Sequence, residues 1–489
     1  MAARDTPAAT AVAAAIAIMI EARRLQRRFG DGFVEETVAD LHEPWMPHAD
    51  LILSDDALLS VVYEALATRH PKSRTRGRRG APAEMVLRVL VLKHLRNWSY
   101  ATLEREVRGN LVYRDFTRIG GGKVPDAKTM GRWGVALGPA VIEHLHRRLI
   151  AIAREEQVVE GRKMRVDTTV VETNIHYPTD SGLLGDGVRV LTRMMKQVTA
   201  IAGHVGTPLR DRSRSVKCRL LEIGRIARSK GAQRQEKLAD GYARLLTATS
   251  RVVGQAKRFS QEIGAGVKRT ADVLHQAALD GLRQGLDTFV PRVQQVMRQT
   301  RARIVGGNTH VKEKLLSLFE PSTEVIRKGK ASKPNEFGKL VKIQEAENQI
   351  ITAYVVYDQR PSDSDLLIPA LEAHDQTLGR VPRLVAGDAA FYSGTNEATA
   401  HAKGVKRVCI PNRSTKSVER KREQRKRWFK QGQKWRTGCE GRISVVKRRH
   451  GLTRCRYKGD AGMKRWVGLG VIADNLINIG RILATRPTT

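Results

Sequence analysis

Apolar residues recur along the chain with two different periods. Val86, Leu87, Leu90, Val91 and Leu95 stand at helical spacing behind Pro82, and a second short helix carries Leu103 and Val107, with Ser99 placed to cap it. A glycine-rich break at 120–122 precedes Pro125 and Asp126, and Asp126 is placed to cap a third helix reaching about Ala153. At 162–175 the period changes to two. Met164 and Val166 alternate with polar neighbours and run into Thr168, Thr169, Val170 and Val171, so a strand is expected with Asp167 inside it. From about 188 to 315 the helical period returns, with the stripes Leu238, Tyr242, Leu245, Leu246 and Leu274, Ala278, Leu282, Leu286. Strand signals resume at 339–343, 350–357, 384–386 and 405–410, and Asp363 or Asp365 opens a helix between the second and third of these. A later helix runs through Glu440 and Val446, and an apolar one lies around 471–479. Without the helical block the order is strand, strand, strand, helix, strand, helix, strand, helix, which suits a mixed sheet covered by helices.

Composition narrows what such a chain can do. Of 489 residues 41% are apolar, enough to build cores, so wholesale disorder is excluded. The 87 Lys+Arg against 50 Asp+Glu give a net charge of +37, which calls for a polyanionic partner, with nucleic acid the commonest and an acidic membrane the rival. Aromatics at 5% argue against a stacking platform for single strands. The apolar run at 8–20 is too short to span a bilayer, and its cations, Arg23, Arg24, Arg27 and Arg28, follow it rather than precede it; membrane and secretion are set aside. Cys218, Cys409, Cys439 and Cys455 show no metal-binding spacing and read as reduced thiols of a cytoplasmic chain.

The positive charge is concentrated in three places. Residues 69–80 form a basic arm with Arg74, Arg76, Arg78 and Arg79, and with the helices behind it this fits a helix-turn-helix-like DNA-binding domain over 69–158, after an N-terminal helical extension at 1–68. The helical block 188–315 holds 26 Lys+Arg and 9 Asp+Glu. Residues 416–436 hold ten Lys+Arg and two glutamates.

Three acids occupy unusual positions: Asp167 within a strand, Asp388 at the exit of another, and Glu440 on a late helix. The carboxyl ends of sheet strands are where α/β sites are generally built. Carboxylates gathered there repel unless divalent metal lies between them, and two such ions about 3.5–4 Å apart can drive phosphoryl displacement.

At these acids the sequence resembles the DDE transposases of bacterial insertion sequences (ISNCY-like). RVDTTVVETNIHYPTDSGLL (165–184) is similar to the family's first-aspartate block, and LVAGDAAFYS (384–393) to its second. Arg436, Glu440 and Lys447, continued by RRHGLTRCRYKG (448–459), match the tyrosine-arginine-glutamate-lysine signature, with Gln433 standing where the tyrosine would fall. LRVLVLKHLRNWSYATLEREV (87–107) and PDAKTMGRW (125–133) look like the family's N-terminal segment.

The resemblance implies an α/β catalytic domain of ribonuclease H-like fold, with a mixed five-stranded sheet, built from 159–187 and 316–489; the basic helical insertion 188–315 between them lies outside the resemblance and is read from its helical period and charge. It implies that Asp167, Asp388 and Glu440 are catalytic and hold two Mg2+ or Mn2+ ions, and that Arg436 and Lys447 touch DNA phosphate. Arg436 and Lys447 stand four residues before and seven after Glu440, near its helical face, so all three can point at DNA. The implied partners are the transposon end repeats and target DNA, bound by a homodimer or higher oligomer associated with the nucleoid. The implied activity is cleavage at the element's ends and joining of the 3′-hydroxyls to target DNA. A silent transposase-derived DNA-binding protein and a metal-dependent nuclease of the same fold are the alternatives. Asp180 and His450 read as local structure.

Overall fold

The computed structural model describes residues 18–24, 28–69, 74, 78–308, 311, 313–327 and 334–487. The chain divides into a helical unit, Ile175–Thr323, and an α/β unit formed by Ile16–Asn174 with Glu324–Thr489. The sequence pattern puts the helical insertion at 188–315 and the α/β segments at 159–187 and 316–489; in the structure the helical unit takes in a further turn or more of chain at each end.

In the α/β unit, α1 (Phe29–Val38), α2 (Met46–Leu53), α3 (Asp56–Ala67), α4 (Ala83–Leu95), α5 (Tyr100–Gly109), α6 (Leu111–Phe116), α7 (Ala127–Ala136) and α8 (Pro139–Glu155) precede the first sheet strand. Ser99 caps α5 through Thr102 N at 3.0 Å, and Asp126 caps α7 through Thr129 N at 2.8 Å. The single helix expected from Asp126 to Ala153 is two. Leu137 and Gly138 leave the helical region (ψ 90° and 171°) and Pro139 restarts the chain at the first position of α8.

The sheet contains β1 (Lys163–Glu172), β2 (Glu324–Arg327), β3 (Asn335–Glu345), β4 (Ile351–Val356), β5 (Leu384–Ala386) and β6 (Arg407–Cys409), in the order β2-β3-β1-β5-β6. β2 and β4 share the outer edge of β3, each pairing with a different half of it. β1 runs antiparallel to β3 and parallel to β5, and β5 is parallel to β6. The central strand thus comes from before the helical unit and all its neighbours from after it. The expected sheet has five strands; β2 is a sixth, and its four residues bury only Ile326, too little alternation to be read from sequence.

One face of the sheet packs Met164, Val166, Val385 and Val408 against Leu366, Leu367 and Leu371, the last two of them on α13 (Leu367–Leu378). α14 (Gly394–Ala402) joins β5 to β6. On the other face lie α16 (Arg427–Arg449), entered through α15 (Val418–Arg425), and α17 (Gly459–Ala484). Val171, Val341 and Ile343 of the sheet meet Val446, Trp466 and Val467 there. α17 also packs against α2, α4 and α8, which ties the N-terminal helices to the sheet in one core. Among the described residues it is the helix long and apolar enough to cross a membrane, and most of it is buried in this unit.

The helical unit consists of α9 (Asp180–Ala202), α10 (Ser213–Arg228), α11 (Arg234–Gly264) and α12 (Val273–Ile304) around one apolar core. The α12 stripe holds at its later positions and starts further along than expected, at Leu279. Leu279, Leu282 and Leu286 are buried, whereas Leu274 is 61% exposed.

Candidate active site

β1 alternates its side chains between the two faces, so Arg165 and Asp167 point to the side covered by α16 while Met164 and Val166 enter the core beneath. Asp167 is 14% exposed, and its carboxylate accepts from Thr168 N at 2.7 Å. The parallel ladder pairs Lys163 with Leu384, Met164 with Val385 and Arg165 with Ala386. The recorded pairs end at Arg165 and Ala386, and Asp167 and Asp388 each stand two residues beyond them. Asp388 is still extended (φ −80°, ψ 176°) and caps the single turn Ala389–Phe391 by accepting from Ala390 N at 2.8 Å.

The third acid, Glu440, projects from α16 and is 55% exposed. Arg436, one turn earlier, reaches Glu440 at 2.8 Å and Asp167 at 3.8 Å, so one guanidinium stands between a sheet acid and a helix acid. Lys447 is half-buried two turns on, and its carbonyl accepts from the Thr453 hydroxyl at 2.9 Å. Past it, a groove of about 430 Å³ is lined by Arg96, Arg448, Arg449 and Arg481, and Glu43 on its wall is taken by Arg96 at 2.5 Å.

Two glycines let α16 lie this close to the sheet. A Cβ at Gly438 would collide with the Arg165 guanidinium, and one at Gly432 would fall 2.5 Å from Cys409 Sγ. Beneath the site Arg165 pairs with the buried Glu345, bonding it at 2.9 Å through Nε, and lies 4.8 Å from the centre of the Trp435 ring. Burial raises the Glu345 carboxyl, and the Arg165 bond opposes the rise. The Cys439 thiol, buried beside Glu345 and Asp167, is held well above its ordinary range and stays protonated. Arg442 anchors the far side of the helix to Asp474 of α17 at 2.8 and 3.1 Å.

Gln433, the departure from the signature, lies one turn before Arg436 on α16. Its amide donates to Cys409 O at 2.6 Å and to Gly387 O at 3.4 Å, linking α16 to the ends of β6 and β5 one residue before Asp388. In sequence Gln433 is visible only as a departure from the signature, with no task attached. Arg165 is not singled out there either, although it stands two residues before Asp167 and the period of two already puts both on one face.

The basic arm is partly seen. Arg74 is paired with Glu64, Arg78–Arg79 forms a two-residue parallel pairing with Ile18–Met19, and Arg76 lies outside the described residues. Asp180 lies in the first turn of α9 in an ion pair with Arg303, and buried His450 contacts His94 O at 3.1 Å and Asp474 at 3.5 Å.

Carboxylate oxygens are the hard donors that Mg2+ and Mn2+ prefer, so by donor chemistry Asp167, Asp388 and Glu440 fit such ions. Among the described residues no three acidic, histidine or cysteine side chains converge closely enough to hold one as they stand.

The α/β unit thus carries one acid on a strand, one past the exit of a neighbouring strand and one on a cation-rich covering helix. Residues 45–134 match the profile of a transposase domain family (DUF772), and residues 395–480 match a transposase DDE domain. Together, in this order in one chain, the two matches indicate an insertion-sequence DDE transposase. The DDE match contains Arg436, Glu440 and Lys447 and stops short of the two aspartates. No curated protein and no solved structure matches the chain significantly.

Proposed function

We propose that the chain cuts the ends of its own insertion sequence and joins the freed 3′-hydroxyls to target DNA, using a ribonuclease H-like sheet. The observation that supports this reading is the parallel pairing of β1 with β5, two residues beyond which stand Asp167 and Asp388, together with Arg436 of α16, which reaches both Asp167 and Glu440. An antiparallel β4-β3-β1 meander continued by parallel β5 and β6 supports the ribonuclease H-like assignment.

Asp167, Asp388 and Glu440 would hold divalent metal, which supplies activation of the attacking oxygen and stabilisation of the leaving one. Arg436 neutralises the acids of the site and, with Lys447, faces DNA phosphate near the cut. Water first breaks a phosphodiester, leaving a 3′-hydroxyl. That hydroxyl then attacks a target phosphodiester, giving up its proton to solvent as the new P–O bond forms, and the expelled target 3′-oxygen takes up a proton from solvent. Two ends have to be joined, so at least a homodimer on DNA is expected.

A strand-transfer assay with the element's terminal DNA, a plasmid target and Mg2+ tests the reading. The parent should cut and join, and Glu440→Gln should do neither while still binding the ends. Cutting without joining would make the protein a nuclease, and binding without cutting would make it a silent DNA-binding descendant.

A further inference from the structure

The helical unit carries a surplus of cations that the site does not use, and on one helix they are sorted by direction. Residues 210–230 contain eight Lys+Arg and two acids. Both acids are committed to neighbouring helices. Asp211 bonds Lys196 of α9 at 2.6 Å, which draws its carboxyl down to about 2, and Glu222 bonds Arg244 of α11 at 2.6 Å. Val216 and Ile223 turn the apolar side of α10 into the core. On the opposite side Arg214, Lys217, Arg225 and Arg228 are exposed and, among the described residues, form no ion pair. At 100° per residue the four fall within an arc of about 80°, over a length of about 21 Å. With exposed Leu221 between them in the same arc, the cations form two pairs, Arg214 with Lys217 and Arg225 with Arg228, centred about 16.5 Å apart on one rigid helix. Two such pairs on one face can each meet a phosphate of a duplex, which carries a negative charge about every 1.7 Å of axis.

We propose that this outer face of α10 is a docking surface for the phosphate backbone of duplex DNA, read without regard to sequence. Arginine and lysine in line, with no amide or acid side chain among them to read base edges, position a duplex rather than select one. The inference rests on the transposase reading and gives the helical unit a task within it: it holds DNA, target or flanking, while the acids of the α/β unit act.

Cys218 lies at the edge of the same stripe and is exposed, while Cys409, Cys439 and Cys455 are buried. Alkylation of the native full-length chain by a maleimide therefore reports on this face. A duplex of unrelated sequence, present at ten times its dissociation constant measured by anisotropy, should slow Cys218 alkylation about tenfold. The combined variant Arg214→Gln, Lys217→Gln, Arg225→Gln, Arg228→Gln should lower the slope of log affinity against log salt by about 3.6, some 0.9 for each phosphate no longer neutralised. Bound duplex with unchanged alkylation overturns the α10 surface and leaves the transposase reading standing, as does an unchanged salt slope in the folded variant. A chain that binds no duplex overturns both. Should the variant fail to fold, alkylation of the parent decides.

Discussion

Gln433 shows how one side chain can fix the geometry of a site without touching substrate. Its amide spans two carbonyls at the ends of β6 and β5 and is the described link between α16 and the residue preceding Asp388. Gln433→Leu keeps the bulk and removes the donor. It should cost about 1–2 kcal/mol of stability, the scale of leaving a buried acceptor unpaired. More tellingly, it should raise the Mg2+ concentration needed for half-maximal cleavage while leaving the affinity for end DNA unchanged. Cleavage with the parent's Mg2+ requirement would mean that Asp388 is held by its own turn alone. Asp167, Asp388 and Glu440 could be singled out in the sequence because each stands in a short local pattern: mid-strand, strand exit, helix face. The work of Gln433 could not, because its two acceptors lie 24 and 46 residues away and meet it only in the folded sheet.

Elements were legible where the pattern was long. β1, β3 and β4, and the helices α4, α5 and α11, follow from their periods, whereas β2 is too short and the Asp126 helix is broken by a proline that the apolar stripe runs across. The packing of α4 on α17 was not foreseeable, since Lys93 reads as a surface lysine. In the structure it is 2% exposed, with Tyr100, Tyr457 and Trp466 ring centres 5.0, 4.9 and 4.5 Å from its ammonium. Burial, helped by repulsion from Arg456, pushes Lys93 down to about 7, with buried His94 alongside it also lowered. The folded chain therefore binds fewer protons than the unfolded one between pH 7 and the ordinary lysine value of 10.5. Stability should rise with pH across that window. Lys93→Met should flatten the rise and stabilise the protein at pH 6, by a few kcal/mol in order of magnitude. Guanidinium unfolding at both ends of the window measures it. A parent that is equally stable at both ends, with a destabilised Lys93→Met, would show that the rings keep the ammonium charged.

Across the whole molecule, chain order and spatial order diverge. The strand at the centre of the sheet is separated from its partners by a helical unit of 149 residues, Ile175–Thr323, so β1, which carries Asp167, joins β5, which leads to Asp388, through a ladder of high sequence separation. The sequence carries both halves of that ladder as recognisable strands, but nothing local states that they pair. Under the proposed function, three acids from β1, the chain just past β5 and α16 would serve as one metal-binding group. Mn2+ binding to the full-length chain on end DNA, followed by electron paramagnetic resonance, tests this without relying on turnover. Asp167→Asn, Asp388→Asn and Glu440→Gln should each weaken Mn2+ binding by an order of magnitude or more while the protein stays folded and bound to DNA, because each removes one charged donor from a shared set. Parent-like Mn2+ binding by Asp388→Asn would contradict this, since it would show that the acid just past β5 is not part of the group.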